Sequence, residues 1–378
     1  MVTVALKVPY SYLDQEYLAH RDSIEIVINK IRDCVSRGWF TIGPYIQEFE
    51  EAFAKVAGYR YAVACNSGTD ALVLAMRTAG VGPGHEVWTT PNTFMATVGA
   101  ILETGARARL VDVGPDYLMD IDGVLRDCSA VIPNAVIPVA LTGRPLPAVQ
   151  SSKLSAKYPD KIIIDAAQAI GCNPTGTGHL GCYSLHPLKN VHCWGDGGVV
   201  CTNSPIYADD LRLLRNHGSP DRNTVLMPGY NSRLDTIQAL AALESLSRMD
   251  WVTKRRNANA RFYDETLSVI TQIVLPPRDP SILEAFHTYV IQVDHRTALI
   301  EYLNNWGIET KIHYPIPLHL QPGFAQLGYK RGDFPVAESQ AERILSLPIH
   351  EYLTEAQLTH VCDSIRQFYK DKEWISEG

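Results

Sequence analysis

Apolar and polar positions fall into two alternating rhythms along the first half of the chain. Ser23–Arg37 carries Ile24, Ile26, Ile28 and Ile31 and stops at Gly38, which predicts a helix with those isoleucines turned inward. Tyr45–Ala57, ended by Gly58, predicts a second helix. After it the period shortens. "YAVACNSG" reads as a buried strand entering a glycine turn, and "TDALVLAMRTAG" as the helix that follows. The cycle repeats with "HEVWTT" as strand, "TFMATVGAILETG" as helix and "RARLVDV" as strand. "SAVIPNAVIPVAL" holds strand-like material, and "KIIIDAA" is a further strand. Strands alternating with helices across Gly, Pro and Asn turns predict a mainly parallel sheet covered by helices.

Beyond "GDGGVVCTNSP" that rhythm weakens. Asp235–Glu265 reads as a long helical region joining two units. "TYVIQVD", a helix over Ala298–Asn305 and "IETKIHY" indicate a smaller α+β unit after it. The expected division is residues 1–250 for a large domain, with the N-terminal helices, and 251–378 for a small C-terminal one.

The chain has 378 residues, of which 46% are hydrophobic and 20% charged, as in an ordinary globular protein. Its 34 basic and 41 acidic residues leave a net charge of −7, which gives no basic field for nucleic acid. Eight cysteines are scattered without a CxxC pair, and a chain this long builds a core without bridges. The N-terminus meets charge at Lys7, and no long uncharged run is apolar enough to span a membrane. Together these point to a cytoplasmic protein that binds neither membrane nor nucleic acid.

Three places hold candidate chemistry. In "NSGTDALVLAM", Asn66, Ser67, Gly68 and Thr69 lie where a strand ends and a helix begins; the turn suits a phosphate, or serves only to cap the helix. No GKS or GKT loop is present. In "KIIIDAAQAIG", Asp165 closes a buried strand at the carboxyl edge where open sheets take ligands, with Gln168 three residues on. It could pair with a cationic ring nitrogen or simply cap. In "GCYSLHPLKNVHCWGDGG", Lys189 is a possible Schiff-base amine or a solvent-facing lysine. Cys182, His186, His192 and Cys193 are close in that stretch, but their spacing matches no zinc motif, so no metal is expected. A phosphate cradle, a carboxylate for a ring nitrogen and a lysine amine together are what pyridoxal phosphate requires.

The chain resembles the DegT/DnrJ/EryC1/StrS family of pyridoxal-phosphate-dependent sugar aminotransferases. The resemblance rests on "NSGTDALVLAM", "PNTFMAT", "DAAQAIG", "YSLHPLKN" with "GDGG", "RNHG", "GYNSRLDTIQAL" and "GIETKIHYPIPLH". It implies the fold-type I, aspartate aminotransferase-like scaffold, with a large, mainly parallel sheet and a smaller C-terminal domain. It implies Lys189 bonded to the cofactor aldehyde, Asp165 on the ring nitrogen and Gln168 on the ring hydroxyl. Gly68, Thr69 and Ser184 would hold the phosphate and Phe94 would lie on the ring face. Asn231 would reach the phosphate of a neighbouring subunit in a homodimer. His186 would orient substrate or be merely structural. Asp196 stands in "GDGG" where many members carry Glu.

On the sugar side, the resemblance assigns Lys311, His313, Tyr314 and His319, although a Pro-rich structural loop explains the same stretch. Trp39 and Phe40 would line the entrance, with core packing as the other reading of Trp39. Arg233 would take a donor carboxylate. The reaction so implied moves an amino group from L-glutamate to a keto sugar, most naturally a nucleotide-linked 3- or 4-keto sugar. The cofactor would pass through pyridoxamine 5'-phosphate. An 8-oxo octulosonate, a keto-cyclitol, sugar dehydration and a non-catalytic regulator are the alternatives. Lys189 favours transfer over the dehydratase branch, in which histidine replaces it.

Overall fold

The computed structural model describes residues 6–126, 132–172 and 178–371. Seven strands make the larger sheet: β1 (Tyr61–Cys65), β2 (Glu86–Thr89), β3 (Arg107–Leu110), β4 (Ala135–Val136), β5 (Ile163–Asp165), β6 (Leu180–Ser184) and β7 (Gly198–Thr202). β3, β2 and β4 form one parallel ladder and β5 and β6 another, while β7 runs antiparallel to both β6 and β1. Parallel bridges from Val136 to Ile162 and from Val139 to Asp165 join the ladders, so the order is β3-β2-β4-β5-β6-β7-β1. The sheet is mainly parallel, with one reversed strand. Its central runs, such as the wholly buried β5 and β7, are apolar on both faces because helices cover both sides. In "SAVIPNAVIPVAL" the strand is Ala135–Val136, and residues 129–131 lie outside the described part.

Parallel order sends the carboxyl ends of β1, β5 and β6 to one edge. β7, being reversed, starts at that edge. Two glycines let backbone crowd there. A Cβ on Gly68 would stand 2.7 Å from Cβ of Ser184, and one on Gly198 would collide with the carbonyl of Ser67.

The helix Arg21–Arg37 differs from the expected inward face. Ile24, Val27 and Cys34 are buried, whereas Ile26 is 59% exposed. Ile24, Ile26 and Ile28 are spaced as on a strand; the helical stripe is Ile24, Val27, Ile31 and Cys34. The long region Asp235–Glu265 is two helices, Thr236–Ser247 and Met249–Leu267, broken at Arg248.

The smaller sheet is antiparallel, in the order β10-β9-β8, from β8 (Ile273–Val274), β9 (Tyr289–Val293) and β10 (Ile344–Leu347). "IETKIHY" contributes isolated bridges rather than a strand: Ile308 pairs with Val8, and Lys311 with Ser346. Helix Met249–Leu267 starts in the core of the large sheet with Met249 and Val252. It ends in the core of the small one with Ala260, Tyr263 and Leu267. No described helix is long and apolar enough to cross a membrane.

Candidate active site

A cavity of ≈ 340 Å³ opens at the edge where β1, β5 and β6 end. Its wall includes Gly68, Thr69, Phe94, Asp165, Gln168, Ser184, His186, Lys189, Asp196, His313 and Tyr314. These come from separate stretches of chain and meet because the sheet aligns its strand ends.

Asp165 ends β5 and is 5% exposed. Thr97 Oγ1 donates to its Oδ2 at 2.7 Å, and the Ala167 N–H donates to Oδ1 at 3.2 Å. Burial pushes its carboxyl above the usual range, opposed by those donors and by Lys189. Lys189 is pushed down to about 8, chiefly by burial and against the pull of Asp165. An acid whose charge is under-compensated thus faces an amine that sheds its proton near neutral pH. That combination awaits an external cation and supplies a nucleophile.

The helix Gly68–Thr78 begins at the cavity. Ser67 caps it by accepting the Asp70 N–H at 3.1 Å, and its first N–H groups lack intrahelical acceptors. Ser184 lies against Gly68, and the absence of a Cβ there leaves room for the hydroxyl. Backbone donors, a hydroxyl and the helix dipole make an anion cradle. Phe94 is 47% exposed at the mouth, its ring 5.8 Å from that of Tyr314. Gln168 Oε1 accepts the Thr142 N–H at 2.7 Å, and its side chain also bonds Tyr314. Burial, then Asp165, pushes the Tyr314 phenol up to about 12.

His186 is exposed in the turn before Lys189; its N–H donates to Ser184 Oγ at 3.3 Å and its Nδ1 accepts the Leu188 N–H at 3.3 Å. His313 is pushed down to about 4 by burial and then by the charges of Lys189 and Lys311, and its Nδ1 lies 2.8 Å from Ser346 Oγ.

Six of the sequence candidates do not reach this wall. Lys311 is exposed and pairs through its backbone with Ser346. His319 is buried, its Nε2 3.0 Å from Glu338 and its ring against Phe334, which is the environment of a packing histidine. Trp39 packs beside Val27, Cys34 and Leu240 with the Arg37 guanidinium over its ring at 4.9 Å. Asn231 is exposed and bridged to Asn216. Arg233 bonds Asn216 Oδ1 at 3.3 Å and lines a separate cavity with Thr41 and Ile42. Phe40 is also exposed and outside the wall.

Two wall residues escaped the sequence reading. Thr97 lies in the first turn of the helix Met95–Glu103, eight residues past the end of β2, where no strand-end signal reaches. His287 has no local signal. It arrives just before β9 from the other side of the cavity, with Nδ1 buried and unpartnered, and burial, then Lys189 and Arg256, hold it well below its ordinary value. Among the described residues no group of three His, Cys, Asp or Glu side chains could hold a metal.

Comparison with known proteins gives the class to which this fold belongs. A family model described as the DegT/DnrJ/EryC1/StrS aminotransferase family matches residues 22–366. The chain belongs to that family. It is 35% identical to the "Pleiotropic regulatory protein" of Geobacillus stearothermophilus, over 97% of this chain and 99% of that one. It is also 35% identical to the dTDP-3-amino-3,4,6-trideoxy-alpha-D-glucose transaminase of Streptomyces venezuelae, over 96% of each. NtdA of Bacillus subtilis, solved with bound cofactor PMP, superposes with a TM-score of 0.89 at 28% identity, over 96% of this chain and 85% of that one. The architecture is the fold-type I, aspartate aminotransferase-like scaffold.

Proposed function

We propose that the chain is a pyridoxal-phosphate-dependent aminotransferase that carries an amino group from L-glutamate to a nucleotide-linked 3- or 4-keto sugar. The carrying observation is the pairing, in one cavity, of a buried Asp165 raised in pKa with a Lys189 amine lowered to about 8. The anion cradle at Gly68, Thr69 and Ser184 fits the phosphate of such a cofactor. When bound, pyridoxal phosphate supplies an aldehyde that takes up the donor amine and a protonated ring that draws electrons from the carbon losing its proton.

The chain's own groups do the rest. Lys189 would hold the cofactor, and its amine is the group placed to take the proton from the donor's α-carbon and return it. Asp165 would keep a proton on the cofactor's ring nitrogen, while Gln168 and Phe94 would help to hold the ring. Tyr314 and the neutral His313 offer hydrogen bonds to sugar hydroxyls. The net reaction converts amino acid and keto sugar to 2-oxo acid and amino sugar.

Asn231 and Arg233 stand outside the cavity of their own chain, which supports a homodimer in which each copy completes its partner's site. Mixing Lys189→Ala with Asn231→Ala chains should then restore activity that neither variant has alone, because one site in each heterodimer is intact. The seven cysteines in the described residues are free, which fits a cytoplasmic location.

A screen of amino donors and keto sugars by mass spectrometry tests the reading. Replacement of a carbonyl oxygen by an amine, lost in Lys189→Ala, is the expected result. The regulatory name of one relative favours testing a second reading, in which cofactor is bound without transfer; no amination of any keto sugar would select it. Deoxygenation without amination would select sugar dehydration instead.

A further inference from the structure

Behind Lys189, on the side away from the cavity, lies a chain of polar groups that the reaction does not use. His192 follows Lys189 by three residues and is 6% exposed. Its Nδ1 is 3.1 Å from the carbonyl oxygen of Lys189, and its Nε2 is 3.3 Å from Oε1 of Glu16. A carbonyl and a carboxylate only accept, so both contacts hold together when each ring nitrogen carries a hydrogen. The His192 N–H donates to Ser245 Oγ at 3.1 Å, which fixes the backbone on the same helix that carries Glu244.

Glu16 does not stand alone. Arg248 bridges it to Glu244, whose Oε2 is 2.8 Å away, and donates to the Tyr352 hydroxyl at 3.1 Å. The second oxygen of Glu244 accepts from Ser23 at 2.7 Å. The short helix Leu13–Ala19, the break between the two long helices and the segment at Tyr352 therefore converge on one imidazole. That imidazole touches the main chain of the reactive lysine.

We propose that His192, clamped between Glu16 and the Lys189 carbonyl, is a positioning residue that holds the lysine amine in its buried place. The inference rests on the reading of Lys189 as the reactive amine and adds what keeps it there. The side chain of Lys189 is free to pivot towards bulk solvent if its backbone segment loosens. Burial of the amine, which lowers its proton affinity, then depends on the clamp. The titratable groups that share the cavity with the amine are Asp165, His186, Asp196, His287, His313 and Tyr314, of which Asp165 raises its proton affinity.

The test uses cofactor-free protein. The rate at which a small acylating reagent labels Lys189 is followed against pH by peptide mass spectrometry, for wild type, His192→Ala and Glu16→Gln. The wild-type amine should titrate near 8. His192→Ala should move that midpoint upward, towards the 10.5 of a free lysine, with faster amide exchange over residues 186–193. Glu16→Gln, which removes the anchor's charge but keeps its shape, should shift it the same way by less. A midpoint unchanged in both variants, even with a lowered melting temperature, would overturn the proposal, since a purely structural role lowers stability without moving the amine. Failure of the catalytic reading is seen separately, as Lys189→Ala protein that still transfers amine.

Discussion

Two buried acid–base pairings in this molecule are pushed in opposite directions. At Asp165 and Lys189, burial dominates both groups, raising the acid and lowering the amine to about 8. At Glu16, burial also raises the carboxyl, but the hydrogen bond and charge of His192, with Arg248, outweigh it and hold the group at about 2. Arg256 behaves like Glu16: burial lowers its proton affinity, but Glu351, 2.8 Å away, together with Tyr12 and Tyr10, leaves it raised. The ingredients are the same and the geometry differs. Where opposite charges touch, contact offsets the cost of burial. Where they face each other across a cavity, desolvation wins, and the groups stay poised for a charge that arrives with a ligand.

Substitutions should break this contrast by magnitude and by kind. Arg256→Met leaves Glu351 buried without its cation and takes away the donor to the carbonyls of Phe286 and His287. It should cost about 3–5 kcal/mol of stability, read from urea unfolding. Asp165→Asn should do the reverse. Unfolding should be unchanged or later, because a strained buried charge is removed, while kcat falls about 10²–10³-fold. Thr97→Val deletes the hydroxyl that donates to Asp165 Oδ2 and should cost about 1.5–3 kcal/mol of transition-state stabilisation, seen in kcat with the fold intact.

A pH dependence is expected at Glu16. Its folded pKa lies below the ordinary 4.5, so its contribution to stability is present above 4.5 and is lost as pH falls towards about 2. The gap in urea midpoint between wild type and Glu16→Gln should be open at neutral pH and should close across that window.

The same contrast explains what was legible in the sequence. The strand–helix rhythm and the strand-end positions of Asp165 and Ser184 are local patterns, and the sheet turns local order into a common edge. Gly68, Lys189 and Gln168 sit within a few residues of those ends, so the residue types announced the wall. The clamp at His192 and the arrival of His287 depend on segments far apart in sequence, Glu16 and Arg248 among them, for which no periodicity speaks. Ile26 was misread for a simpler reason. Alternate isoleucines look like a face, but a helix turns them to different sides, and Val27 takes the inward place. The reversal of β7 is equally silent, because a buried strand reads the same in either direction.

The proposed function turns on one amine, that of Lys189, held where it would bond the cofactor. The direct measurement is reduction of the cofactor-loaded protein with borohydride, followed by peptide mapping. The account predicts a single modified peptide with the reduced pyridoxyl group on Lys189. Modification at another lysine, or none in protein that retains its cofactor, would contradict it.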